Sequence, residues 1–170
     1  MKKAISPFCS FLASALCFLF ISIPNIVVTT ALLGNIVKYS AWNFMSDYND
    51  NINGYVLYKV TIIVMIVLAG LLLVSSILLA LERMGNLKIK NINLDFINNI
   101  LLVLFVVANV ILLIAAIIVC SYLKSDDYAL ISNAKIGIGI WLNLGFSVAL
   151  CIASWMFSNP KSAKKKSKRK

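Results

Sequence analysis

A chain of 170 residues that is 61% apolar and only 13% charged, with 16 Lys and Arg against 6 Asp and Glu, lies well outside the composition of a water-soluble domain. So few charges cannot cover the surface that a domain of this size leaves in water, and the apolar excess has to face lipid. Histidine is absent, which removes the usual neutral-pH acid-base group and the commonest metal ligand, and with them most hydrolase and metalloenzyme readings.

A hydrocarbon layer about 30 Å thick takes roughly 20 apolar residues of helix, and the chain offers four such runs. The first covers about 8–33 and contains Pro24, which deletes a backbone hydrogen bond, kinks the predicted helix and frees a carbonyl near Phe20. The run also begins behind Lys2 and Lys3, so a cleaved signal peptide is a competing reading of it. The second covers about 56–81, the third 97–123 and the fourth 136–157. The polar pieces between them are short, which makes sequential spans neighbours in an antiparallel bundle. The fold class expected is therefore an all-α integral membrane protein, with 1–157 as a four-span transmembrane domain and 158–170 as a basic disordered tail.

Charge orients this bundle. Lys2, Lys3, Arg83, Lys88, Lys90 and the seven cations of the tail fall on one side, with only Glu82 and Asp95 against them. On the other side Lys38, Lys59, Lys124 and Lys135 are balanced by Asp47, Asp50, Asp126 and Asp127. The whole net charge of +10 thus belongs to one face, which the positive-inside rule makes cytosolic together with both termini. The six tyrosines all lie in or beside the outer loops, and Trp141 and Trp155 sit near opposite ends of the last span, as a headgroup belt requires. Trp42 lies well beyond the end of the first span and is the aromatic that anchoring does not explain, hence the first candidate for a partner contact.

The remaining candidates are modest. Asn25 and Asn143 fall at a similar depth below the outer surface, so a hydrogen bond between the first and last helices is expected; Asn109 lies deeper. Gly145, Ala149 and Ala153 recur every four residues, a spacing that lets helix backbones approach within the bundle or at a dimer seam, and Ser76 and Ala80 repeat the pattern in the second span. Cys9 stands at the cytosolic edge, where acylation occurs, whereas Cys17, Cys120 and Cys151 read as small apolar helix residues. The tail, with Lys164, Lys165, Lys166, Lys168, Arg169 and Lys170, suits anionic lipid; Lys166 and Lys168 also fit a lysine-based retrieval signal to the endoplasmic reticulum. Basic charge without interleaved aromatics, tethered to a bilayer, excludes nucleic acid. No nucleotide, zinc-protease or metal-cluster motif occurs, so neither a cofactor nor catalysis is expected.

Four spans, cytosolic ends, a longer first outer loop bearing Trp42, a short second loop, and the Gly137, Gly139, Trp141 entry to the last helix together resemble the claudin and peripheral-myelin type of tetraspan. Fungal claudin-like cortical proteins and MARVEL-type tetraspans are similar at the same level. The resemblance implies a non-enzymatic protein that organises membrane or partner proteins by lateral association, most simply in the plasma membrane. Claudins, however, carry a disulfide-bearing loop after the tryptophan, whereas here Trp42 is followed by a cysteine-free stretch. A first outer loop of about 22 residues is also read as too short for their extracellular sheet. Two other classes stay open: a small transporter or pore component with the asparagines along its route, and a bacterial immunity or holin-like protein.

Overall fold

A computed structural model of the chain describes residues 5–30, 34–47, 52–85, 93–124 and 131–157. Its elements are α1 (Ile5–Ser22), β1 (Pro24–Thr30), β2 (Ile36–Ser40), α2 (Ala41–Asp47), α3 (Tyr55–Met84), α4 (Leu94–Leu123), β3 (Ile131–Ile136) and α5 (Ile138–Phe157). Helices α1, α3, α4 and α5 are long and apolar enough to cross a membrane, the architecture of a multi-pass membrane protein. α1 packs against α3 and α5, and α4 packs against the same two, so the four run round the bundle in chain order. The basic tail predicted for 158–170 lies outside the described residues.

Two expectations are corrected. The protein is not all-α: the sheet-end loops build a three-stranded antiparallel sheet in the order β2-β1-β3. Nor does the first helix continue through Pro24. A proline disfavours helical backbone in the residue before it and brings no N–H of its own, so α1 ends at Ser22. The following Ile26, Val27, Val28, Thr29 and Thr30 are β-branched, stiff at the first side-chain torsion and suited to a pleated surface. The apolar run that looked like one long span is a helix of 18 residues, about 27 Å long, followed by a strand.

β1 is the centre of the sheet. Val28 stands opposite Val37 of β2 and Ala134 of β3, and Val27 opposite Lys38 and Lys135. Ile26, Val28 and Ala134 are buried and belong to the same core as the helices, while Lys38 and Lys135 are exposed on the other face. Because β1 continues α1 and β3 leads into α5, pairing them ties the first span to the last.

At the opposite end, Gly85 ends α3 in the left-handed conformation and its N–H donates to the Glu82 carbonyl. Asn93 caps α4, its side-chain oxygen accepting from the Phe96 N–H at 3.2 Å. Arg83, in the last turn of α3, is ion-paired with Asp95, in the first turn of α4; each charge suits the helix end on which it sits.

Candidate functional site

The sheet end is held together by one close approach. Gly137, between β3 and α5, donates its N–H to the Asn25 carbonyl at 2.7 Å. A β-carbon on Gly137 would stand 2.2 Å from the Pro24 carbonyl oxygen, and one on Gly139 would stand 2.9 Å from that of Phe20. The glycine-rich entry to the last helix is therefore the seat for the turn that ends α1. Asn25 completes the joint by donating its side-chain amide to the carbonyls of Phe20, Ile21 and Ile23 at 3.2, 3.3 and 2.9 Å. The carbonyls of Phe20 and Ile21 are among the acceptors that the stopped helix leaves open, and Ile23 follows it directly. Asn25 thus caps its own helix, whereas the shared depth predicts a bond to Asn143. Asn143 is buried in α5.

Beside this joint, α2 sits over the top of α3. Phe44 packs with Tyr39, Tyr55 and Tyr58 at ring separations of 6.0, 5.9 and 5.5 Å, and the Tyr55 hydroxyl donates to the Met45 carbonyl at 2.7 Å. Tyr55 and Tyr58 are fully buried, so they are core residues of this platform and not belt anchors. Trp42, in α2, is 48% exposed; Ile36 and Val37, in β2, are also exposed. Because β1 and β2 form a hairpin, the chain has already turned back toward the helix ends when it reaches Trp42.

A second polar assembly lies at the far end of the bundle. Ser6 of α1 is 3.0 Å from the Ser154 hydroxyl of α5 and receives the Asn98 amide at 3.4 Å. The Asn98 oxygen accepts from Ser75 of α3 at 2.8 Å, and Asn99 accepts from Ser154 at 2.9 Å. Every member is buried, and the chain of bonds links all four spanning helices. Sequence reading missed it because Asn98 and Asn99 fell at the margin of the third span. The signal was there: Ser6, Ser10 and Ser14 repeat at helical spacing along one side of α1.

The other candidates separate. Gly145 and Ala149 are exposed and Ala153 half-buried, so their stripe faces away from the bundle, which α5 meets through Ile140, Asn143, Ser147 and Ser154. Ser76 is buried against its own helix, donating to the Leu73 carbonyl. Cys9 is 4% exposed, its thiol turned into the bundle and away from any acylating surface. Lys164, Lys165, Lys166, Lys168, Arg169 and Lys170 lie outside the described residues. Four buried polar atoms find no partner among the described residues: the Ser14 and Tyr58 hydroxyls, one guanidinium nitrogen of Arg83 and the Asn109 oxygen; of these, Ser14 and Asn109 stand near the middle of their helices. No protein-family model, curated protein or solved structure matches this chain.

Proposed function

We propose that this is a non-enzymatic tetraspan that organises membrane or partner proteins by lateral helix association, with both termini cytosolic in the plasma membrane. The observation that carries the reading is the outward stripe of α5. This helix buries 28% of its span, against 50% for α1, and turns two of its small residues, Gly145 and Ala149, to the outside. Hydrocarbon gives no premium to glycine over leucine, but a neighbouring helix does, because small residues let two backbones approach. Trp42, 48% exposed on α2, adds a contact outside the bilayer. The four cysteines are all free and lie in the spanning helices, so no disulfide like that of the claudin loop contributes to this reading. Crosslinking in native membranes from position 149 is the experiment that tests this function.

A second reading, a small transporter or pore component, draws on the unpartnered Ser14 hydroxyl and Asn109 oxygen near mid-span. Against it, α1 and α5 carry no charged residue, leaving little for an ion relay. Solute flux through the protein in liposomes, abolished by Asn109→Leu, is what that reading requires.

A further inference from the structure

We propose that the cleft between the end of α4, β3 and the start of α5 holds the phosphate of an anionic phospholipid from the leaflet on the sheet side. The cleft has a volume of about 360 Å³, room for about a dozen waters or for a phosphodiester with its glycerol. Its floor is Cys120 and Ala134, both buried. Its rim carries Ser121, Lys124 and Lys135, all exposed. Lys124 is the residue that closes α4, and Lys135 stands in β3 three residues before α5 begins, so the connection between α4 and α5 brings two lysines to one opening.

Three features favour a lipid. The cleft lies where two membrane-length helices end, which the bilayer-spanning reading puts on the headgroup side, and the first turn of α5 adds the positive end of its dipole. Ile117 and Trp141 line it and are 46% and 53% exposed on the bundle surface, so an apolar flank runs from the cations along the helices, where an acyl chain would lie. Lysine is a point charge with no fixed fork, so such a pair selects net negative charge rather than headgroup shape. The chemistry is that of phosphate, and a free anion from solution would satisfy the lysines without using the apolar flank.

The inference rests on the bilayer-spanning reading but not on lateral association. The full chain, reconstituted in phosphatidylcholine nanodiscs, is titrated with phosphatidylglycerol and the bound lipid counted by native mass spectrometry. Replacing Lys124→Gln and Lys135→Gln together is expected to weaken phosphatidylglycerol retention by about fivefold for each lysine removed. Lys38→Gln, an exposed lysine on the same sheet but outside the cleft, leaves retention unchanged; the basic tail contributes the same background to every variant. Equal loss on Lys38→Gln, or retention unaltered in the double variant, overturns the site. Displacement by millimolar inorganic phosphate shows that a free anion is the occupant and overturns the lipid assignment. Failure to reconstitute even in phosphatidylcholine counts against the membrane-spanning reading instead.

Discussion

Gly137 and Pro24 touch where the first and last spanning helices meet the sheet, the space between them being too small for one methyl group: a β-carbon on Gly137 would lie 2.2 Å from the Pro24 carbonyl oxygen. The neighbouring obstacle is backbone on both sides, since Gly137 also donates to the Asn25 carbonyl. Replacing Gly137→Ala must move one chain against the other and is expected to cost about 2 kcal/mol or more. Gly145→Ala, with nothing within 4 Å of the added carbon, does not lower stability, since alanine also favours helix over glycine. Thermal unfolding of the two variants in the same detergent checks the contrast.

Asn25 bonds three carbonyls with one amide, so Asn25→Leu strands acceptors at the end of α1 at a cost of about 1–3 kcal/mol. Asn143→Leu removes a different group, and the two losses add. A double-mutant cycle on unfolding free energy is expected to give a coupling no larger than about 0.5 kcal/mol, the value for independent sites.

The four-helix polar chain behaves oppositely. Ser75→Ala and Asn98→Leu remove two ends of one hydrogen bond, and their cycle is expected to show coupling of about 0.6–1.7 kcal/mol. Asn98→Leu alone also strips the Ser6 hydroxyl of a donor, so its single cost exceeds that of Ser75→Ala. Equilibrium unfolding in mixed micelles reads both.

The spans were legible because hydropathy over 20 residues is a strong signal, and α3 and α4 contain the runs read for them. The sheet was not, for two reasons. An apolar, β-branched run such as Ile26 to Thr30 satisfies a hydropathy window whether it is helix or strand, and Pro24, the residue that decides, is compatible in sequence with a kink as well as with a stop. In addition, β1 finds its second partner in Ile131–Ile136, a pairing between distant parts of the chain that no local pattern reveals. The same locality explains Asn25: depth along an assumed helix placed it against Asn143, whereas the end of α1 supplies acceptors only a few residues away. The small-residue stripe was visible at its four-residue spacing, but only the packed bundle shows that Gly145 and Ala149 face outward.

Lateral association through α5 is tested most directly by placing a photoreactive residue at Ala149 in the full chain and identifying what is captured in native membranes. A discrete protein adduct, a second copy or a partner, is expected, and Gly145→Leu should abolish it without lowering the melting temperature, because Gly145 has nothing packed on it. Capture of lipid alone, or an adduct indifferent to Gly145→Leu, would contradict a role for this face in organising other proteins.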